Sequence, residues 1–328
     1  MLDLSQNWDM LPSRDHLRAK RKSRVMSEPP SPDLQVRWTI PEKIVVRAAV
    51  SGRSAREATA AGSNFALNIE SFAQQAVEAI EAGSAGVHLD VGGIITTRGQ
   101  ERRPSVQPHY EKIVSLISSR TQRDWVPDVN ILHGETFKDN LLPITSGLGE
   151  TTMMAPDNPP EWMEAVARVV TDHSKRLFFA VHSAAEVELA ERLVIRKGIL
   201  EKPYCWCILI GYVYDETSSR IATYMPHPRA MIQELTLVVD RIREVDEDCY
   251  IEVCGAGRAA QYLSTLAILM GLNVRMGTED TVWKFPHKDE LLSGAAENVR
   301  RTRTITEQLG RTLATAEDLR NILRIKSP

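Results

Sequence analysis

The stretch Gly271-Leu-Asn-Val-Arg-Met-Gly-Thr-Glu-Asp280 decides the fold. Ahead of it, Ala259 to Met270 carries apolar residues at helical spacing. Asn273-Val-Arg-Met-Gly-Thr278 then alternates as a short strand and runs into two adjacent carboxylates, Glu279 and Asp280. A helix feeding a strand that stops on paired acids is how a (β/α) barrel presents chemistry at its C-terminal face. Arg275 and Glu279 share strand parity, so both can point to one side, with Asp280 beyond the strand end. One cation and two carboxylates at such a place suit a metal ligand plus an acid/base pair. A salt-bridged loop is the plainer alternative.

Upstream, the same unit recurs. Apolar runs suited to strands buried on both faces occur at Ile44–Val50, Ala85–Asp90, Trp125–Leu132, Thr151–Met154, Leu177–His182, Tyr204–Gly211 and Cys249–Cys254. Helical segments separate them at Ile69–Ala82, Tyr110–Ser119, Glu161–Asp172, Ala184–Lys197 and Arg229–Val245. With the opening stretch as the eighth strand, the pattern predicts an α/β fold, a parallel (β/α)8 TIM barrel over residues 41–328. Two further helical segments, Glu290–Leu309 and Thr315–Leu323, close the chain as an extra C-terminal element. Residues 1–40 differ: a basic cluster from Arg14 to Arg24 is followed by Glu28-Pro-Pro-Ser-Pro32, the pattern of a flexible arm or oligomer-wrapping extension.

Bulk properties narrow the function. The 328 residues carry a formal net charge of -3, which argues against a general nucleic-acid binder. No apolar run has the length of a membrane span and no secretory leader is present, so a cytoplasmic protein is expected. Cys205, Cys207 and Cys254 lie in strand-like runs and Cys249 adjoins one; none forms a CxxC pair, so they read as buried thiols rather than disulfides.

In a barrel, function belongs to residues at strand C-terminal ends: Ser51, Arg53, His88, Asp90, His133, Glu135, His182, Arg258, Arg275, Glu279 and Asp280. His88 and Asp90 lie two residues apart, so imidazole and carboxylate share a face. With Glu279 they could hold a divalent metal, zinc by preference, with an open coordination position. A hydrogen-bonded strand end is the competing reading of the same pair. His133 and His182 could be further ligands, general bases or packed polar residues. Gly255-Ala-Gly257-Arg258 could let backbone approach a phosphate or carboxylate at a helix start, although it is too short for a dinucleotide fingerprint.

Taken together, Asn273–Asp280, Asn298-Val-Arg, Glu307-Gln-Leu-Gly310 and Ala314-Thr-Ala-Glu-Asp-Leu-Arg320 resemble the C-terminal signature of the β-keto acid cleavage enzymes. Ala48-Ala-Val-Ser-Gly52, Glu81-Ala-Gly-Ser-Ala-Gly-Val-His88 and Gly255-Ala-Gly-Arg258 follow that family's order. The resemblance implies a tetrameric (β/α)8 barrel that uses acetyl-CoA to convert a β-keto acid into acetoacetate and a new acyl-CoA. It implies zinc held by a His-x-His pair and the Glu of the Glu-Asp pair, matched here by His88, Asp90 and Glu279. Arg275 and Asp280 match the pair that deprotonates the acetyl-CoA methyl group, and Gly255, Gly257 and Arg258 match a cofactor-binding turn.

The departures are as informative. Asp90 stands where the second histidine is usual, Leu132-His-Gly-Glu135 replaces a Ser-Thr-Gly-Gly turn, and Val91-Gly92 replaces Arg-Asp. The acidic residue that would meet an amino-bearing substrate corresponds to Ser54, which disfavours such a substrate, and the adjacent Arg53, if it points inward, would favour an anionic substrate tail. His133 thus becomes a candidate replacement ligand or new acid/base. Two alternatives stay open: a CoA-independent, metal-dependent lyase or decarboxylase, and a non-catalytic ligand-binding descendant.

Overall fold

A computed structural model of the chain describes residues 37–51, 68–95, 105–215, 220–223 and 227–325. Eight parallel strands close into a barrel in the spatial order β7-β8-β1-β2-β3-β4-β5-β6. They are β1 (Val46–Ser51), β2 (Gly86–Asp90), β3 (Val126–Val129), β4 (Thr151–Met154), β5 (Arg176–Val181), β6 (Cys205–Ile210), β7 (Tyr250–Gly255) and β8 (Asn273–Gly277). The helices between and after them are α1 (Ile69–Ala82), α2 (Gln107–Arg120), α3 (Phe137–Thr145), α4 (Pro160–Asp172), α5 (Ala184–Leu193), α6 (Pro228–Val245), α7 (Ala260–Leu269), α8 (Ala295–Gln308) and α9 (Ala316–Leu323). The expected (β/α)8 barrel with an additional C-terminal helix is therefore present. Among the described residues no helix is long and apolar enough to cross a membrane. Of the arm at residues 1–40, all but Arg37–Ile40 lies outside the described residues.

Strand alternation sorts the residues into two layers. Val46, Ala48 and Val50 of β1, Val87 and Leu89 of β2, and Trp206 and Ile208 of β6 face outward, joining the helices in the main apolar core. Inward-facing residues include Val126, Phe178, Cys205, Cys207 and Tyr250, which pack with Leu319 and Leu323 of α9. That helix plugs the N-terminal end of the barrel. Its Arg320 donates to both oxygens of Glu150 at 2.7 Å and pairs with Asp124, and both acids lie just before barrel strands. Thr312–Leu313, ahead of α9, pairs in parallel with Lys43–Ile44, so the chain end is tied to the start of the barrel. Cys205, Cys207 and Cys249 are free thiols, and burial pushes Cys205 up to about 12.

Some boundaries differ from the sequence-based expectation. The third strand ends at Val129, not Leu132, because the Asn130 side chain accepts from the Leu132 N–H at 2.9 Å and turns the chain. Helix α3 was hidden by Pro143, which sits in its last turn, while Thr136 caps its start by accepting from Asp139. The antiparallel pair Tyr212–Asp215 and Arg220–Thr223 after β6 was likewise not anticipated.

Candidate active site

The barrel interior carries a column of charge above its apolar floor. Arg47 of β1 is fully buried and donates through Nε and Nη2 to the two oxygens of Glu252 on β7, at 2.7 and 2.5 Å. Its Nη1 lies 3.3 Å from Asp128 of β3 and donates to Thr151 of β4 at 3.2 Å. Thr151 in turn donates to Asp128 at 2.7 Å. These residues were not singled out from sequence. The available signal was a charged residue at an inward position of an otherwise apolar strand, because a buried charge requires a partner. Burial works against the Asp128 carboxylate, but the charges of Arg47 and His88 prevail and hold it at about 2.

The column continues upward through His88. Its Nδ1 lies 2.7 Å from Asp128. An ionised carboxylate can only accept, so Nδ1 carries the hydrogen and Nε2 points on toward Glu279, 3.4 Å away. Burial pulls the His88 imidazole down, yet Glu279 and Asp128 outweigh it and the net direction is up. Arg275 faces the same cluster, with Nη2 2.8 Å from Glu279 and 3.1 Å from Asp280. Burial drives the Glu279 carboxyl up to about 7 even though Arg275 pulls it down.

Local backbone structure sets the two acids. A Cβ on Gly277 would collide with the Ala49 backbone, so only glycine lets β8 run so close to β1 there. Asp280 and Thr281 then turn back onto Gly277, at 3.2 and 3.0 Å. The Asp280 carbonyl accepts from the Gly257 N–H at 2.8 Å, and the Thr281 hydroxyl donates to the Gly257 carbonyl at 2.7 Å. The loops after β7 and β8 are thereby stapled together beneath the acids.

Asp90 shares its face with His88, as the spacing implies, but its oxygens serve other donors. One lies 2.6 Å from His133 Nε2 and 3.1 Å from the Gly92 N–H, and the other accepts from Ser51 at 2.9 Å. A Cβ on Gly92 would clash with the His133 ring, so glycine at this position makes room for the imidazole. Ser51, Asp90 and His133 thus form a second polar cluster beside the first. His182 is engaged locally by Glu186, 3.0 Å from its Nδ1, at the start of α5. Arg258 stacks 3.9 Å over Trp283, pairs with Asp289 and donates to the Lys288 carbonyl at 2.7 Å. Gly255 permits close approach of α7, and Gly257 has a left-handed φ of 58°. Glu135 is exposed, and Arg53 and Ser54 lie outside the described residues.

A metal is fitted by part of the expected set. His88 Nε2 and Glu279 face one another, and Asp128 on Nδ1 supplies the carboxylate–histidine support that metal-bound imidazoles use. The third expected ligand, Asp90, is committed to Ser51, Gly92 and His133. Among the described residues no three His, Cys, Asp or Glu side chains form a metal cage.

Comparison with known proteins agrees with this architecture. The chain is 23% identical over 294 residues to a 3-keto-5-aminohexanoate cleavage enzyme of Fusobacterium nucleatum, covering 87% of this chain and 99% of the relative. A segment of 80 residues, 24% of this chain and 25% of the relative, is 34% identical to a 3,5-dioxohexanoate:acetyl-CoA acetone transferase of Paraburkholderia graminis. Among solved structures, apo ObcA superposes with a TM-score of 0.62 at 20% identity, covering 79% of this chain and 65% of the ObcA chain, a likeness of fold. The family model for beta-keto acid cleavage enzyme matches residues 43–325, and the chain belongs to that family.

Proposed function

We propose that this protein cleaves a β-keto acid with acetyl-CoA, yielding acetoacetate and a new acyl-CoA, with a divalent metal at His88 and Glu279. The observation that carries the proposal is Arg275 reaching Glu279 and Asp280 at 2.8 and 3.1 Å, opposite His88 at the barrel mouth. Family membership and the relatives named above support acetyl-CoA as the co-substrate.

In this reading His88 and Glu279 hold the metal, zinc being the cation suited to a nitrogen and oxygen donor set. When bound, it would polarise the keto oxygen of the substrate. Asp128 fixes the His88 tautomer, and Arg47 fixes Asp128. Asp280, oriented by Arg275, takes a proton from C2 of the β-keto acid rather than from the acetyl-CoA methyl group, because acetoacetate requires C2 to bond to the acetyl carbonyl. The carbanion adds to the thioester carbonyl, CoA passes to the former keto carbon, and the C2–C3 bond breaks to release acetoacetate and the new acyl-CoA. Arg275 also has capacity left for substrate: its Nη1 donates to the Met153 sulfur at 2.9 Å, and a thioether is a weak acceptor. A substrate carboxylate would take that hydrogen in its place and gain a charge-assisted bond. His133, locked onto Asp90, stands beside the site as a second acid/base candidate. Gly255, Gly257 and Arg258 belong to the loop stapled to Asp280, where the CoA end of the co-substrate would approach.

The test is turnover of a β-keto acid panel with acetyl-CoA by metal-replete protein, monitored as acetoacetate release. Absence of acetoacetate across the panel refutes the reading; turnover without CoA and unaffected by its addition would transfer the chemistry to a CoA-independent lyase.

A further inference from the structure

The barrel mouth is divided into two unlike halves. The charged half is built by β8, β1 and β2, with Arg275, Glu279, Asp280, His88 and Asp90. In the closed strand order, β4, β5 and β6 stand diametrically across from it. One cavity of about 110 Å³ spans both halves: His88, Arg275 and Glu279 line its charged side, and Met153, Met154, Ala180 and Leu209, with Leu132, line the side toward β4–β6. Leu132 is 50% exposed. Asn130 is the one uncharged polar side chain in that lining, and its amide oxygen already accepts from Leu132 N–H.

The consequence for a bound substrate is directional. A β-keto acid that presents its carboxylate and keto oxygen to Arg275, His88 and Glu279 must project the rest of its chain toward β4–β6. A charged tail placed against that wall would lose its hydration, and the described residues of the wall itself, Met153, Met154, Ala180, Leu209 and Leu132, offer it no opposite charge. An alkyl tail would instead remove Met, Leu and Ala surface from water. We propose, resting on the reaction reading above, that the site selects β-keto acids whose chain beyond the keto carbon is uncharged and apolar. Met153 links the halves, since its sulfur accepts from Arg275 while its methylenes belong to the apolar wall.

The test compares kcat/KM for three six-carbon β-keto acids: one with a plain alkyl tail, one ending in a second carboxylate, one bearing an amino group. The alkyl substrate is expected to lead each charged one by at least about 100-fold. In parallel, calorimetry with the matching β-hydroxy acids, which cannot be cleaved, should rank binding in the same order. Cleavage that favours a charged tail would overturn the selectivity and leave the reaction reading intact. Ranked binding with no cleavage of any keto acid would overturn the reaction reading and leave the selectivity standing. Neither cleavage nor ranked binding overturns both. A Leu209→Glu variant should gain at least tenfold for the amino substrate relative to the alkyl one; if it does not fold, the wild-type panel and calorimetry still decide.

Discussion

Asp128→Asn removes one charge from the middle of the buried column and leaves its volume nearly unchanged. In the wild type Asp128 accepts from His88 Nδ1 and Thr151, both at 2.7 Å, and lies 3.3 Å from Arg47. Its carboxyl is held at about 2, against an ordinary value of 3.8. A depression of roughly two pH units corresponds to about 2–3 kcal/mol of stability at neutral pH. Because the folded-state value is the lower one, this stability is complete above about pH 4 and is lost as pH falls toward about 2. At pH 3 about half should remain. Denaturant unfolding of wild type and variant at pH 7 and at pH 3 measures both quantities, and the gap between the two proteins should narrow on acidification. Zinc affinity should fall by about 10–100-fold, since the imidazole loses its charged support. A variant as stable as wild type at pH 7, binding zinc as tightly, would refute the claim that Asp128 couples the barrel interior to His88.

Four further outcomes follow from the same geometry. His88→Ala and Glu279→Gln should each lose metal on purification, whereas Asp90→Asn should retain it, as read by elemental analysis of never-chelated protein. Asp280→Asn should lower kcat for acetoacetate release by about 100-fold or more with an unchanged circular dichroism spectrum; loss of fold would make the residue structural. Zinc affinity should rise with pH through about 7, because burial raises the Glu279 carboxyl to about 7 and the metal must displace its proton. Calorimetry in buffers of different ionisation enthalpy would register that proton, and a pH-independent affinity would contradict it. Arg320→Ala should cost about 3 kcal/mol, because it strands Glu150 at the barrel floor, and leave kcat within about twofold.

The barrel was legible because each strand is an apolar run buried on both faces, and such runs recur from Val46 to Gly277 at helix-sized intervals. The paired acids were legible for a related reason: Glu279 and Asp280 follow directly on a strand end, where position alone assigns them to the C-terminal face. Partnership was harder. His88 and Asp90 do share a face, but spacing along one strand says nothing of what neighbouring strands deliver. Asp128 from β3 takes His88, while Ser51 from β1 and His133 from the loop after β3 take Asp90. Arg47, Asp128 and Glu252 were passed over because each looks like an isolated polar residue in its own strand, and they become one feature only when the barrel closes.

That closure explains why charge runs through a barrel whose floor is apolar. Arg47, Glu252 and Asp128 are fully buried, and a buried ionic cluster of this kind is weak evidence for stability: well-packed apolar replacements are often neutral or better. Floor residues such as Phe178, Cys205 and Leu323 show that this chain packs apolar side chains well at the same end. What an apolar replacement could not do is orient His88. Nitrogen groups alternate with carboxylates along Glu252, Arg47, Asp128, His88, Glu279, Arg275 and Asp280, so each group fixes the position of the next up to the mouth. Replacing Arg47, Asp128 and Glu252 together by apolar residues should therefore hold or raise the melting temperature while zinc affinity and turnover fall. If the triple variant kept both, the column would be a packing solution rather than the support of the site.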